Sequence, residues 1–375
     1  MNRFVQTIPP SAIRLLHERK RPDAIDLGLG QPLLHPDMAP LDAALAWVRE
    51  HGCPYSPNPG FAELRAAIAQ HFAYPGLDTA ESVCVTVGSQ EALYLPIKAL
   101  LDPQLHEALV VTPTFPAYQK LCHLEGVPVR EVALDPQTGF APDAERVLQA
   151  VTERTRLVAL GSPCNPTGRV WSESELRKLT AGLATLPQPP YLLSDEVYAE
   201  LYFADARPVS PALFYPRTIV ASSLSKSCAL TGLRLGWVMA PPEAAQVMWK
   251  AHQFVVSCAD TIAQRAGLEI FRRPQLLTQH RAHYVLQRQI LLSALTEVGL
   301  QFVEPEGSFY CLIRLPERWA QRSMEAAQHI LEGHNVSTMP SSIFGVEGFL
   351  RVTFVAAPET LREGVRRIHR ALTSG

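Results

Sequence analysis

The stretch RTIVASSLSKSCALTGLRLGWVM, residues 217–239, contains two apolar runs joined by a turn that is rich in hydroxyl side chains. The runs at 217–221 and 235–239 have the length and composition of buried strands. Outward from this stretch, short apolar runs that end in Gly, Ser, Asp or Pro alternate with longer segments of helical period. This alternation is typical of βαβ units and predicts an α/β fold with a mainly parallel sheet.

The predicted elements divide the chain into a large domain and a small one. The strands predicted for the large domain are 82–87, 108–112, 156–160, 191–194, 217–221 and 235–239. We place this domain at residues 38–272. A long amphipathic segment at 274–298, followed by two further predicted strands, indicates a smaller α+β domain at 273–375. The proline-rich segment 1–37 has too little apolar sequence for a core of its own, so we expect it to pack on the smaller domain as an arm.

The composition fits a globular protein that acts on small molecules. The 375 residues are 47% hydrophobic, and the formal net charge of −2 gives no basic surplus that would favour nucleic acid or an anionic membrane as a partner. No stretch approaches the roughly 20 apolar residues of a membrane-spanning helix, and no signal peptide is recognisable, so we expect a cytoplasmic protein. The seven cysteines include no C-x-x-C pair and the twelve histidines no H-x-x-x-H or H-E-x-x-H spacing, so neither disulfides nor a metal site are expected.

Polar motifs follow three of the predicted strands, at the point where each strand ends. They are G-S-P-C-N-P-T-G, S-D-E-V-Y and S-S-L-S-K, and their candidate functional residues are Asn165, Asp195, Tyr198 and Lys226. Because ligands bind beyond the carboxyl ends of parallel strands, we expect these side chains to meet in one pocket. An amine for an aldehyde (Lys226) and a carboxylate that keeps a pyridine nitrogen protonated (Asp195) are what a pyridoxal ring needs. Asn165 and Tyr198 add hydrogen-bond donors for its phenolate oxygen.

A phosphate site is also predicted. The turn after the strand at 217–221 offers hydroxyl groups and an arginine, and V-G-S-Q-E-A-L begins a predicted helix whose free N–H groups suit an anion. The residues assigned to this site are Gly88, Ser89, Gln90, Ser223, Ser225 and Arg234.

These motifs resemble those of a known family. N-P-T-G at 165–168, S-D-E-V-Y at 194–198 and S-x-S-K-x5-G-x-R-x-G at 223–236 occur in the order found in class I/II aminotransferases of the fold-type-I, aspartate-aminotransferase-like superfamily. The resemblance extends from about residue 8 to the C-terminus. It implies a large domain with a mainly parallel seven-stranded sheet flanked by helices, plus a smaller α+β domain formed by the arm and the C-terminal part. It also implies pyridoxal 5'-phosphate as cofactor and exchange of an amino group between an L-amino acid and a 2-oxo acid.

The resemblance implies roles for the cofactor-binding residues. Lys226 is similar to the lysine that holds the cofactor as a Schiff base and shuttles the proton, and Asp195 to the partner of the pyridinium nitrogen. Asn165 and Tyr198 match the donors to the ring oxygen. Phe115, in P-T-F-P-A-Y, matches the aromatic residue that stacks on the pyridine face.

Three further residues concern the substrate and the subunit partner. Arg351, in F-L-R-V-T-F, resembles the arginine that binds the substrate α-carboxylate, a task that suits a planar guanidinium. Gly30 matches a backbone position that closes over that carboxylate, where Asn165 also contributes. Tyr55, in Y-S-P-N-P-G-F, resembles the tyrosine that reaches the phosphate bound by the neighbouring subunit, which implies a homodimer with shared sites.

Two positions depart from the family pattern. P-S-S-I-F-G at 340–345 has Ser341 and Ser342 where the pattern is usually P-G-x-x-F-G, and such a glycine often serves an unusual backbone angle. Gln90 is neutral where some relatives that use acidic substrates carry a lysine. This difference weakens, without excluding, a dicarboxylate substrate. We expect a neutral aliphatic or aromatic amino acid as donor, with 2-oxoglutarate or pyruvate as acceptor.

Alternatives to aminotransferase activity remain open from sequence alone. A β-eliminating lyase, such as a C-S lyase, uses the same scaffold and cofactor residues. A non-catalytic effector module of a transcription regulator is disfavoured, because the chain has no helix-turn-helix or basic extension before the fold. The G-L-G at 28–30 lacks the third glycine of a dinucleotide-binding loop and runs into Gln31-Pro32 rather than a helix.

Overall fold

The computed structural model describes residues 3–8, 16, 18–203 and 206–373. Its strands, numbered along the chain, are β1 (Ile25–Asp26), β2 (Val83–Val87), β3 (Glu107–Thr112), β4 (Val129–Ala133), β5 (Thr155–Gly161), β6 (Tyr191–Asp195), β7 (Thr218–Ser223), β8 (Leu235–Met239), β9 (Phe302–Val303), β10 (Tyr310–Arg314), β11 (Val336–Ser337), β12 (Met339–Pro340) and β13 (Phe349–Thr353). The largest sheet has seven strands in the order β2-β8-β7-β6-β5-β3-β4.

This sheet is parallel except at β8, which runs antiparallel to both β2 and β7. The register brings the carboxyl ends of the central strands level, because Gly161 of β5 pairs with Asp195 of β6, and Asp195 pairs with Ala221 of β7. The polar motifs that follow these strands therefore begin at one edge of the sheet. The prediction of a mainly parallel seven-stranded sheet is confirmed.

Six strands of this sheet match apolar runs that predict strands in the sequence, and β4 is the strand without such a run. This strand lies at the edge, pairs only with β3 among the described strands, and reads V-R-E-V-A. Its charged residues Arg130 and Glu131 are exposed, while Val132 is buried. An edge strand with one solvent-exposed face lacks the continuous apolar run of the central strands, so the sequence of β4 does not show the pattern that predicts a buried strand.

Helices cover both faces of the large sheet. The helices of the described residues are α1 (Arg3–Gln6), α2 (Ala39–His51), α3 (Ala62–Phe72), α4 (Gly88–Leu100), α5 (Ala117–Leu124), α6 (Ala144–Ala150), α7 (Glu173–Ala184), α8 (Pro242–Val255), α9 (Thr261–Phe271), α10 (Gln275–Thr278), α11 (Arg281–Glu297), α12 (Ser323–His334) and α13 (Pro358–Thr373). Leu93 of α4 and Met248 of α8 belong to one apolar core. Leu176 and Leu179 of α7 belong to another. Their apolar stripes recur at helical spacing, as expected for helices that pack on a sheet.

A smaller domain contains the antiparallel sheet β12-β13-β10-β9, with α11 and α13 packed together. The segment predicted as one amphipathic unit at 274–298 forms two helices, α10 and α11. Near the N-terminus, β1 pairs in parallel with β11 of this domain. Phe4 instead meets His123 of the large domain edge-to-face, with ring centroids 5.9 Å apart.

The two-domain fold class is confirmed, with the arm contributing β1 to the smaller domain. Residues 9–15 and 17 of the arm, and the last two residues of the chain, lie outside the described residues. The domain boundaries at 37/38 and 272/273 stay a prediction. Within the described ranges, the helices are too short or too polar to cross a membrane.

Candidate active site

A cavity of about 280 Å³ lies beyond the carboxyl ends of β5, β6 and β7. Tyr310 of β10 and Arg351 of β13 line its other side, so the smaller domain closes it. Eleven residues that the sequence assigned to the site line this cavity: Gly30, Ser89, Gln90, Phe115, Asn165, Asp195, Tyr198, Ser225, Lys226, Arg234 and Arg351.

Lys226 follows β7, and its amine lies in the cavity. Nζ donates a hydrogen bond of 2.6 Å to the backbone oxygen of Gly30, which belongs to the N-terminal segment. Burial, with smaller contributions from the charges of Arg351 and Arg234, lowers the pKa of Lys226 to about 8. A lysine with such a pKa is partly neutral near physiological pH and can act as a nucleophile or a base.

Asp195 is the last residue of β6, and two donors hold its carboxylate. The hydroxyl of Tyr118 donates to Oδ2 at 2.7 Å, and the backbone N–H of Val197 donates to Oδ1 at 3.2 Å. Burial raises the pKa of Asp195, and these two hydrogen bonds oppose that shift. A buried carboxylate of this kind is stabilised in its ionised form by a cation placed opposite it.

Arg351 spans the space between the two domains. Its Nη1 donates to Oδ1 of Asn165 at 2.9 Å, and its Nη2 donates to the backbone oxygen of Gly28 at 2.6 Å. The guanidinium also lies over the rings of Tyr310 and Phe344, 4.2 and 4.8 Å from their centroids. These contacts fix the plane of the guanidinium, which is a requirement for bidentate recognition of a carboxylate.

Tyr310 was not among the residues that the sequence assigned to the site. Its hydroxyl lies 2.9 Å from the hydroxyl of Tyr198, and both residues are buried. A Cβ atom at Gly30 would lie 1.9 Å from the Tyr310 hydroxyl, so Gly30 allows the N-terminal segment to approach this tyrosine. The signal that could have found Tyr310 is its position on the other of the two strands predicted for the smaller domain. In the structure this strand, β10, pairs with β13, which carries Arg351.

The first turn of α4 forms a cup at the bottom of the cavity. Val87 is the N-cap residue of this helix, and no side chain caps the helix there. Helix N–H groups in the first turn lack intrahelical partners, so those of α4 are available to an anion. Ser89 and Gln90 of this turn line the cavity, with Arg234 beside them.

Two glycines make this cup possible. Gly88 has φ +72°, and a Cβ atom there would lie 2.3 Å from Nη2 of Arg234. A Cβ atom at Gly236 would lie 2.6 Å from the backbone nitrogen of Ser89. Hence the missing side chain at Gly88 allows Arg234 to approach the start of α4, and the missing side chain at Gly236 allows β8 to approach it.

Three residues assigned to the site do not line the cavity: Gly88, Ser223 and Tyr55. Gly88 begins α4 and lies against Arg234, as described above. Ser223 is buried, and its hydroxyl is 3.4 Å from the backbone nitrogen of Ser225, which donates to it. Tyr55 is 89% exposed, so its side chain makes little contact with its own chain.

The serines at 341 and 342 do not impose an unusual backbone. Ser341 is buried, has no positive φ, and its hydroxyl accepts the backbone N–H of Phe349 at 3.0 Å. The left-handed residue of this loop is Gly345, with φ +88°. The departure from the family pattern therefore places an extra hydrogen bond under β13, the strand that carries Arg351.

The cavity carries an excess of positive charge. Lys226, Arg234 and Arg351 line it, whereas Asp195 is its one carboxylate among the described residues. All three cations donate to neutral oxygens, since Arg234 donates to the backbone oxygen of Thr231 at 2.8 Å, and the partners of Lys226 and Arg351 are carbonyl oxygens. Cations that line a cavity without carboxylate partners favour an anionic ligand.

Pyridoxal 5'-phosphate fits the groups that line this cavity. Its phosphate suits the cup, its aldehyde suits the Lys226 amine, and its ring nitrogen suits the Asp195 carboxylate. A family model described as aminotransferase class I and II matches residues 22–368. The chain belongs to this family. The protein is thus a pyridoxal-phosphate-dependent aminotransferase, as the sequence motifs predicted.

Individual relatives match this aminotransferase along almost its whole length. It is 33% identical to the aspartate/prephenate aminotransferase of Thermus thermophilus, over 99% of this chain and 98% of that protein. The solved structure of the aspartate aminotransferase from Thermus thermophilus with maleate has a TM-score of 0.92 at 32% identity and covers 99% of both chains. The structure of an aromatic aminotransferase from Pyrococcus horikoshii has a TM-score of 0.87 at 30% identity, over 96% of this chain and 98% of that one.

Proposed function

We propose that this aminotransferase binds its cofactor between Lys226 and Asp195 and moves the amino group of an L-amino acid to a 2-oxo acid in this cavity. The observation that carries the proposal is that a part-buried lysine amine and a buried carboxylate line one cavity together with a fixed guanidinium. When bound, pyridoxal 5'-phosphate withdraws electrons from the Cα atom of the amino acid. The protein's own residues then determine which bond at Cα breaks and where the proton goes.

Lys226 is the proposed base at Cα. Only a neutral amine accepts a proton, and the pKa of about 8 that burial gives Lys226 leaves part of it neutral at physiological pH. Its hydrogen bond to Gly30 shows that the amine reaches the side of the cavity where the N-terminal segment lies. The same amine would hold the aldehyde carbon of the cofactor before the substrate arrives.

Asp195 is the proposed partner of the pyridine nitrogen. Its ionised form is needed there, because a carboxylate keeps that nitrogen protonated whereas a carboxylic acid does not. Burial works against ionisation, and the Tyr118 hydroxyl and the Val197 N–H work for it. Tyr118 therefore joins the proposed site as a positioning residue for Asp195.

Arg351 is the proposed binding group for the α-carboxylate of either substrate. Its plane is fixed by Asn165, Gly28 and the two aromatic rings. A carboxylate held by this guanidinium leaves little rotational freedom at Cα, so one of the Cα bonds is held perpendicular to the cofactor ring. We propose that this bond is Cα–H and that Lys226 faces it.

For the side chain of the donor we propose a neutral aliphatic or aromatic group. The phosphate cup and the α-carboxylate engage the cavity's arginines, and the remaining lining includes apolar Leu29, Leu93 and Val197 beside neutral Gln90. The second candidate is a dicarboxylic substrate, since the Thermus thermophilus relative is an aspartate/prephenate aminotransferase. The acceptors that we propose are 2-oxoglutarate and pyruvate.

A half-reaction screen tests these proposals. Single amino acids are added to the purified holoenzyme without an acceptor, conversion of the cofactor is followed by absorbance, and the 2-oxo acid is identified by mass spectrometry. We expect phenylalanine or leucine to react faster than aspartate, and Gln90→Lys to shift the preference toward aspartate. Faster conversion of aspartate by the unmodified enzyme would establish the second candidate instead.

The lyase alternative is tested in the same preparation. A β-eliminating enzyme releases pyruvate and ammonia from a cysteine conjugate, and it needs no oxo-acid acceptor for repeated turnover. We expect at most one equivalent of 2-oxo acid per active site without an acceptor. Continued release of pyruvate and ammonia without an acceptor, together with no conversion by any ordinary amino acid, would overturn the assignment of Lys226 and Arg351 to amino-group transfer.

We propose a homodimer in which Tyr55 completes the site of the partner subunit. Tyr55 and Phe254 are 89% and 87% exposed, although both are large and apolar in part. Hydrogen bonds from Asn58 to Ser257 and from Thr261 to Pro54 hold their two segments together, so the exposed rings lie on one surface. Large exposed rings on adjoining segments favour a subunit interface.

Co-expression of two inactive variants tests the shared site. In a hybrid of a Lys226→Ala subunit with a Tyr55→Phe subunit, one site has both substitutions and the other has neither. We expect this hybrid to regain about half of the activity of the unmodified dimer, whereas either variant alone stays low. No recovery in a hybrid whose mass confirms both subunits would show that Tyr55 does not act across the interface.

A further inference from the structure

A pair of buried side chains lies behind the cup that the first turn of α4 forms, outside the cavity. Glu91 stands in the first turn of α4, and His252 stands in the last turn of α8, which packs against α4. Nδ1 of His252 is 2.8 Å from Oε1 of Glu91, and Oε2 of Glu91 accepts the backbone N–H of Val87 at 2.6 Å. His252 is fully buried, and Glu91 is only 8% exposed.

We propose that Glu91 and His252 are positioning residues that keep the cup open for the phosphate of the cofactor. This inference rests on the proposed function, in which the first turn of α4 holds that phosphate. Val87 has no side-chain oxygen with which to cap α4, so the orientation of the turn depends on its backbone. By accepting the Val87 N–H, Glu91 fixes the residue from which the free N–H groups of Ser89 and Gln90 extend into the cavity.

His252 is needed because Glu91 could otherwise compete with the ligand. A carboxylate close to the first turn of a helix is attracted to the free N–H groups of that turn, because they form the positive end of the helix dipole. These are the groups that the phosphate requires. Nδ1 of His252 lies within hydrogen-bond distance of Oε1 of Glu91, so the imidazole tautomer that carries its proton on Nδ1 donates to this carboxyl oxygen. The hydrogen bond from His252 thus holds the second oxygen of Glu91 on the side of α4 that faces α8 and away from the cup.

The surroundings of His252 support a directed role for this one contact. Among the described residues, its Nε2 atom is buried without a hydrogen-bond partner. The imidazole therefore makes one hydrogen bond, to Glu91, between two packed helices whose residues Leu93, Ile97 and Met248 belong to one apolar core. A leucine would fill such a site at lower polar cost, and it would leave Glu91 free to turn toward the cup.

Cofactor titrations test this proposal with two probes that differ only in the phosphate. Apo protein is titrated with pyridoxal 5'-phosphate and with pyridoxal, and the dissociation constants are obtained from absorbance. We expect His252→Leu to raise the dissociation constant of the phosphorylated form about tenfold, the usual effect of one hydrogen bond to a charged group. The constant for pyridoxal should change less than about twofold, because pyridoxal has no phosphate to compete with Glu91.

Two further variants separate positioning from simple packing. His252→Asn keeps a donor near the position of Nδ1 and should restore most of the affinity. Glu91→Gln in the His252→Leu background removes the competing charge and should also restore most of the affinity. The phosphorus NMR shift of the bound cofactor should then return toward its value in the unmodified protein. A cavity or packing defect would not be repaired by a substitution at Glu91.

The outcomes distinguish the inference from the function on which it rests. If His252→Leu weakens both probes equally, or if Glu91→Gln does not restore binding, the pair has only a structural role. If the unmodified protein binds the two probes with equal affinity, the cup does not hold the phosphate and the proposed function fails first. If His252→Leu does not fold, the Glu91→Gln single variant is titrated with the same two probes. We expect this variant to retain its affinity for pyridoxal 5'-phosphate. A tenfold loss of that affinity would overturn the proposal.

Discussion

Replacing Tyr118 by phenylalanine removes one hydroxyl and the shorter of the two hydrogen bonds to the Asp195 carboxylate. The bond is 2.7 Å long, and both residues are buried. The remaining donor is the Val197 N–H at 3.2 Å. Because a hydrogen bond to a charged group contributes about 2 kcal/mol, the substitution should destabilise the ionised carboxylate by that amount and raise the pKa of Asp195 further.

The expected consequence is slower chemistry with nearly unchanged substrate binding. In the role that we propose for Asp195, a less ionised carboxyl group would hold the cofactor nitrogen protonated less well, and about 2 kcal/mol at that step corresponds to a roughly thirtyfold lower rate of the half-reaction. Stopped-flow absorbance gives this rate directly. The rate loss should shrink as the pH rises, since a carboxyl group whose pKa is raised regains its charge at higher pH.

Tyr215→Phe is the matched control. Its hydroxyl donates to the backbone oxygen of Pro190 at 2.6 Å, and Tyr215 is 3% exposed, against 2% for Tyr118. It does not line the cavity. We expect both variants to lower the melting temperature by a few degrees and only Tyr118→Phe to slow the half-reaction. A Tyr118→Phe rate within twofold of the unmodified enzyme, or an equal slowing by Tyr215→Phe, would refute the reasoning.

Three other predictions follow from the same cavity. The rate at which apo protein takes up pyridoxal 5'-phosphate through Lys226 should rise with pH and level off above about 8, where the buried amine is neutral; a midpoint near 10, measured by stopped-flow absorbance, would contradict this. Arg351→Lys should raise KM for the amino acid about thirtyfold, with a smaller change in kcat, because lysine cannot replace the planar guanidinium. Steady-state kinetics would refute this if kcat alone fell. Gly88→Ala should weaken cofactor binding at least tenfold, because the new Cβ lies 2.3 Å from Arg234. Gly52→Ala, which also has positive φ but meets no atom within 4 Å, should cost about 1 kcal/mol of stability in denaturant titrations and leave cofactor binding unchanged.

The cavity residues that follow β5, β6 and β7 could be predicted because parallel strands end at one edge of a sheet. Asn165, Asp195 and Lys226 are distant in sequence, yet all three come directly after a recognisable apolar strand. Local pattern plus one topological rule is enough to bring them together. The seven-stranded sheet was predictable for the same reason. Its edge strand β4 was not, since most of its residues are exposed to solvent and it has no continuous apolar run.

Residues that depend on the approach of separate parts of the chain were not predictable in this way. Tyr310 meets Tyr198 only because the smaller domain lies over the ends of the large sheet, and no local pattern encodes that placement. Tyr118 was part of the motif that singled out Phe115, three residues earlier. Its contact with Asp195 depends on how α5 is oriented above β6. Tyr55 shows a different limit, since the role proposed for this exposed side chain depends on a second subunit.

The same donors serve both the ligand and the contact between the domains. Lys226 follows a strand of the large sheet and donates to Gly30 in the N-terminal segment. Arg351 belongs to the small sheet and donates to Asn165, which follows a strand of the large sheet. A ligand that engages the Lys226 amine or the Arg351 guanidinium competes with these hydrogen bonds, so it alters the contacts that hold the two domains in their present relation. Ligand binding and domain position are therefore coupled through these two side chains, because any difference in the ligand's affinity for two domain arrangements shifts the balance between them.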